Sequence, residues 1–152
     1  EAVRQRKDLR VREKLGICDI VESCLRTKVD SSDLGMQDIK MRNIIGQLQR
    51  YPTITTLLFA GGNSKNGPEY LFRRQLKTYS MSLECVRKEA PRVHRFALGD
   101  RTISTFSLIS PSNAANRSIG AHPLYKKRKK NNPAYSTCDF RVEQYRKVFC
   151  GR

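Results

Sequence analysis

The chain has 152 residues, 38% of them hydrophobic, which suits one domain with a real core. Lys and Arg number 30 against 14 Asp and Glu, a net charge of +16, which favours a polyanionic partner such as nucleic acid or an anionic membrane surface over a merely basic soluble protein. No apolar run approaches the roughly 18 residues of a membrane span, and the five cysteines lack any CxxC spacing, which argues for reduced thiols over a zinc site.

In chain order, EAVRQRKDLRVREK is charged throughout, is unlike a signal peptide, and reads as a helix with Val3, Leu9 and Val11 as weak apolar anchors. The apolar LGICDIVESCL follows, opened by Gly16, and then a loop, KVDSSDLG, rich in residues whose side chains bond the nearby backbone. In MQDIKMRNIIGQLQRY, Ile39, Met41, Ile44, Ile45 and Leu48 fall near helical spacing, predicting one amphipathic helix that ends before Pro52. TITTLLFA, residues 53–60, is a β-branched strand whose continuous apolarity suits a parallel sheet. After GGNSKNG, Pro68 is placed to begin a helix continued by Tyr70, Leu71, Gln75 and Leu76. ECVRKEAPRVHRFALGD is a connector without a clear assignment, with His94 expected at the surface. RTISTFSLIS, residues 101–110, is a second strand stopped by Pro111. A helical segment around 120–130 and a last helix from about Ser136 complete the chain, with Ser136 or Thr137 as cap and Val142, Tyr145 and Phe149 on one face.

Alternating helices and strands imply a layered α/β fold with a parallel sheet, in which ligands bind beyond the carboxyl ends of the strands. Both polar loops, GGNSKNG and SPSNAANR, follow strands and therefore belong to that edge. In the second, Ser112, Asn113 and Asn116 offer donors and acceptors, Ala114 and Ala115 permit close approach, and Arg117 carries a fork suited to phosphate. Such a loop can brace a distorted duplex or fill the space of an extruded base; equally, it can be a strand-to-helix turn with ordinary capping residues. The first loop has neither GxGxxG nor GK[ST], so it is a poor triphosphate site. YKKRKK sets five cations in consecutive positions, Lys126, Lys127, Arg128, Lys129 and Lys130; such a run is either a solvated face or, as its place just after SPSNAANR leads us to expect, a contact to the nucleic-acid backbone. His122 borders that tract and is expected near a phosphate. Asp19, inside the apolar GICDIVES, is either salt-bridged or at the edge of a site.

LGICDIVESCLRTKVDSSDLGMQDIKMRNIIGQLQRYPTITTLLFAGGNS, followed by LISPSNAANRSIG, resembles the uracil-DNA glycosylase superfamily, nearest its mismatch-specific and hypoxanthine-DNA branch. The match runs from near Gly16 to the C-terminal helix. SPSNAANR, the sharpest element, is similar to the family's second motif, a loop that enters the minor groove. The resemblance implies a single domain, a three-layer α/β/α sandwich with a central mainly parallel sheet. It implies hydrolysis of the N-glycosidic bond of a deaminated base flipped from double-stranded DNA, without metal or cofactor.

The same resemblance implies catalytic positions at Asp19, Asn63 and Ser110 and a base pocket bordered by Gly16, Ile17 and Gly62. It implies a DNA wedge of Ser112, Asn113, Ala114, Asn116 and Arg117, with Lys126, Lys127 and Arg128 as backbone contacts. A monomeric, cytoplasmic, nucleoid-associated protein of bacterial type, with no membrane partner, is expected. Three departures stand out. The loop starts with Ser110 where the mismatch-specific branch has Asn, and it is one residue longer. The family's first motif, a strand ending in a Gly/Pro-rich loop that supplies the water-activating residue, is not visible before Leu15; this and the absent initiator Met make an N-terminally truncated chain the expectation. The alternatives are a catalytically inactive DNA-binding module of the same fold and a basic RNA-associated protein.

Overall fold

The computed structural model describes residues 1–27, 29 and 33–149. Helix α1 (Ala2–Arg12) leads into a hairpin of β1 (Val21–Arg26) and β2 (Met36–Met41). Helix α2 (Ile44–Arg50), strand β3 (Thr56–Phe59) and helix α3 (Pro68–Thr78) follow, then strands β4 (Glu84–Arg87), β5 (Arg92–Leu98) and β6 (Arg101–Ser107). Three helices end the fold: α4 (Ala115–Ala121), α5 (Pro123–Asn131) and α6 (Thr137–Phe149). No helix among these residues is long and apolar enough to cross a membrane.

The main sheet has the order β3-β6-β5-β4. β3 runs parallel to β6, but β5 is antiparallel to both β6 and β4. The fold is thus mixed α/β with a mostly antiparallel sheet, where a mainly parallel one was expected. The reason lies in the unassigned connector. It forms β4 and β5, and only Gly99 and Asp100 join β5 to β6; a connection that short can join only antiparallel strands. Gly99 has φ +64, the backbone that a II′ hairpin turn requires at its first central residue.

The expected helix over MQDIKMRNIIGQLQRY is instead two elements. Ile39 and Met41 alternate in β2 with exposed neighbours, whereas Ile44, Ile45 and Leu48 keep helical spacing in α2 and are buried. Asn43 sets the boundary: its Oδ1 accepts from Gly46 N at 2.8 Å and caps α2. The β1–β2 register shifts twice, and Asp38, at φ 47, takes up the extra residue of β2 as a bulge. Part of the KVDSSDLG loop falls outside the described residues; Asp33–Gly35 form a 3-10 turn.

Ile44, Ile45 and Leu48 of α2 and Phe72 and Leu76 of α3 pack on Phe59, Phe96, Leu98 and Ile103 of one sheet face. Phe72 sits between Phe59 (5.3 Å between ring centres) and Phe96 (5.5 Å). Gln75 completes α2 from outside: Oε1 accepts from Ile44 N (2.8 Å) and Ile45 N (3.3 Å), while Nε2 donates to Arg42 O (2.8 Å). Arg101 closes the other end, donating to the carbonyls of Pro52, Ile54 and Leu48.

A second cluster, Ile119, Tyr135 and Phe140, joins α4, α5 and α6. Ser136 caps α6, accepting from Asp139 N at 3.1 Å while Asp139 Oδ2 accepts from Ser136 N at 2.8 Å. The buried residues of α6 are Phe140 and Gln144; Val142 and Phe149, expected to share a face with Tyr145, are exposed.

Candidate nucleic-acid interface

Because β3 and β6 are parallel, the chain leaves both at the same edge. Leu108 N donates to Phe59 O (2.8 Å), carrying the pairing one step past each strand. The 60–67 and 108–117 loops then emerge side by side, and Arg92, opposite Ser107, begins β5 there.

The 60–67 loop is tight. A Cβ on Gly67 would lie 2.7 Å from Gly62 O and 3.0 Å from Ser64 O, so only glycine fits. Asn63 and Ser64 are exposed. Asn66 is buried at φ 61 and donates through Nδ2 to Asp33 O (3.0 Å) and Met36 O (3.1 Å), tying the loop to the base of the hairpin.

The 108–117 loop is compact and outward. Ser110 Oγ donates to Ser112 Oγ (2.9 Å) and accepts from Ser112 N (3.2 Å). Ala115 N and Asn116 N donate to Ser112 O (3.1 Å) and Asn113 O (3.0 Å), winding the chain into α4. Pro111, Ser112, Asn113, Ala114 and Arg117 are exposed. Helix α6 holds both ends: Tyr145 Oη donates to Ile109 O (3.0 Å), and Arg141 Nη2 donates to Asn116 Oδ1 (2.8 Å).

Several sequence expectations change here. Asn116 Oδ1 is engaged by Arg141, so this oxygen fixes the loop and is not an acceptor for a partner. Arg128 pairs with Glu143 and lies 5.9 Å from the centre of the Tyr135 ring, whereas Lys126, Lys127, Lys129 and Lys130 of the same tract are exposed on α5. His122 caps α5, its Nδ1 accepting from Leu124 N (3.2 Å), and packs on Phe140. Among the described residues Gly16 and Ile17 border no enclosed pocket: Ile17 is 71% exposed and a Cβ on Gly16 would meet nothing within 4 Å.

Asp19 is exposed and its Oδ1 accepts from Val21 N (3.0 Å). It lies near Asp33, whose carboxyl is raised above its ordinary value by desolvation and by the Asp19 charge, against the lowering effect of Arg26. Through Asn66, this acidic pair is linked to the 60–67 loop; among the described residues no hydrogen bond joins Asp19 to Asn63 or Ser110.

Sequence reasoning missed the polar cluster beneath the loops. Glu69, in the first turn of α3, is fully buried. Its Oε1 accepts from Arg73 Nε (2.9 Å), and its Oε2 accepts from Arg92 Nη2 (2.5 Å) and Ser107 Oγ (2.5 Å). Burial alone would raise the Glu69 carboxyl; the Ser107 and Arg73 hydrogen bonds and the charges of Arg92 and Arg73 outweigh it and hold the group below its ordinary value. His94, expected at the surface, is buried, with Nε2 2.9 Å from Arg73 Nη2. Desolvation, together with Arg73 and Arg92, pushes the imidazole down against the pull of Glu69, so it stays neutral. Since an Arg can only donate, Nε2 is the acceptor and Nδ1 carries the proton. The signal was present: His94 shares the two-residue period of Phe96 and Leu98, and Ser107 that of Ile103 and Thr105.

No protein-family model, curated protein or solved structure matches the chain.

Proposed function

We propose that this protein is a DNA glycosylase that hydrolyses the N-glycosidic bond of a deaminated base, uracil or hypoxanthine, flipped from double-stranded DNA. The carrying observation is the 108–117 loop. It projects at the carboxyl edge of the parallel pair, exposes four consecutive small or polar residues (Pro111 to Ala114), and is pinned at both ends by α6. A rigid, slim protrusion of that kind can occupy the gap an extruded base leaves, and rigidity matters because a floppy loop would lose entropy on insertion. The net charge of +16 supplies the backbone affinity.

In this reading Arg117, Ser112, Asn113 and Ala114 meet the duplex, and Asn63 and Ser110 border the flipped nucleotide. The departing base gathers negative charge in the transition state, and in this reading the exposed Asn63 amide is the donor that stabilises it. The three-layer α/β/α sandwich belongs to the same reading. It is supported by the parallel β3–β6 pair and by the outer edge of β3, which is unpaired among the described residues and open to a further parallel strand.

A second reading, a DNA-binding module without catalysis, is favoured by the state of the carboxylates. Glu69 is buried and saturated by Arg73, Arg92 and Ser107, so it is not free to activate water, and the exposed Asp19, which accepts from Val21 N, is joined by no hydrogen bond to Asn63 or Ser110 among the described residues. The test is incubation with duplexes carrying one uracil or one hypoxanthine, followed by hot alkali. Strand breaks at the lesion support the glycosylase; tight binding with intact strands leaves the binding module.

A further inference from the structure

The Glu69 cluster is short of negative charge. One carboxylate faces two guanidiniums, and His94 is neutral, which leaves one positive charge uncompensated among the described residues. It is short of acceptors too: among those residues His94 Nδ1–H is buried without a partner, as is Thr105 Oγ1 opposite it across β5–β6. Glu69 has no exposure, while the Arg73 and Arg92 side chains are 30% and 36% exposed. The carboxylate therefore acts as an internal anchor and the guanidiniums present their remaining N–H groups outward. A half-buried, uncompensated guanidinium is costly, and a bound anion offsets that cost.

Position says which anion. A Cβ on Gly62 would come within 3.2 Å of Arg92 Nη2, which places the 60–67 backbone close against this guanidinium. Arg92 opens β5 opposite Ser107, three residues before Ser110. We propose that Arg92 and Arg73, anchored by Glu69, form a clamp for one phosphodiester of the DNA strand that carries the flipped nucleotide. The planar fork of an arginine fits two phosphate oxygens at once, and the Glu69 and His94 contacts fix its plane before DNA arrives. The choice of DNA rests on the function proposed above; the anion site itself rests on the charge count.

The experiment measures binding of the full chain to lesion duplex over a range of salt, for the wild type, Arg92→Met and Arg92→Lys. A second series uses duplexes with a single neutral methylphosphonate moved along the lesion strand. Arg92→Met should bind about tenfold more weakly and lose about 0.9 from the slope of log affinity against log salt. One methylphosphonate position should cost the wild type about tenfold and cost Arg92→Met little. Arg92→Lys, which keeps the charge against Glu69, should keep the slope but lose part of that position's effect, and it replaces Arg92→Met if the latter melts early.

An unchanged slope in a folded Arg92→Met, or a methylphosphonate profile identical in wild type and variants, overturns the clamp. Binding with this signature but without base release keeps the clamp and removes the glycosylase. Base release with an unchanged slope does the reverse, and failure to bind duplex DNA removes both.

Discussion

Arg141 Nη2 donates to Asn116 Oδ1 at 2.8 Å, so a side chain of the last helix fixes the point where the exposed 108–117 loop becomes α4. The pair lies 25 residues apart in sequence, and Tyr145, one turn along α6, holds the loop's other end at Ile109. Arg141→Ala and Asn116→Ala should each lower stability by about 1 kcal/mol. The double variant should lose little more than either single one, giving a coupling of about 1 kcal/mol in a denaturation cycle. Strict additivity would show that the Arg141–Asn116 hydrogen bond contributes nothing to holding the loop.

Arg117 is the loop's outward cation, exposed in the first turn of α4. If it fills duplex space, Arg117→Ala should slow base release from duplex by about tenfold or more while barely affecting a single-stranded substrate, which has no stack to fill. Rates on the two substrates settle the matter; equal losses on both would assign Arg117 to general phosphate attraction.

The basic tract divides by partner. Lys126 and Lys127 are exposed on α5, and removing both should lower the salt slope of DNA binding by up to about 0.9 for each phosphate no longer neutralised. Arg128 should behave differently. It pairs with Glu143 and packs by Tyr135, so Arg128→Ala should lower the melting temperature and leave the slope nearly unchanged. A slope decrease equal to that of Lys127→Ala, at unchanged melting temperature, would return Arg128 to the binding face.

What could be read in advance follows from how local each signal is. Pro68 at the start of α3, Ser136 as the cap of α6 and the apolar runs of β3 and β6 are written within a few residues, and they formed where expected. The loops' common edge followed from the two strands being parallel. The β2–α2 boundary was hidden because Ile39 and Met41, at strand period, ran into Ile44 and Ile45, at helical period, without a proline or glycine between them. The β4–β5–β6 meander was missed because β4 is exposed along its whole length and has no alternating pattern to detect. Gln75 and Glu69 were invisible as polar core residues because their partners, 31 and 38 residues away for Ile44 and Ser107, are set only by the tertiary fold.

The same distance effect makes His94 testable by pH. Its imidazole is 5% exposed and is held below its ordinary value near 6.5 by desolvation and by Arg73 and Arg92. Between that lowered value and 6.5 the unfolded chain binds a proton that the folded chain refuses, so stability falls as the pH drops through this window. Glu69, held below its ordinary 4.5, adds a separate loss at lower pH, when its carboxylate is finally protonated. His94→Gln keeps an amide oxygen able to accept from Arg73 but cannot titrate. Urea midpoints should therefore decline as the pH falls through 6.5, the ordinary value of His94, in the wild type and stay level there in His94→Gln, while both decline below pH 4.5, the ordinary value of Glu69. Equal declines of the two proteins across the upper window would mean that His94 takes up its proton in the folded state as readily as in the unfolded chain, and that Arg73 does not see a neutral ring.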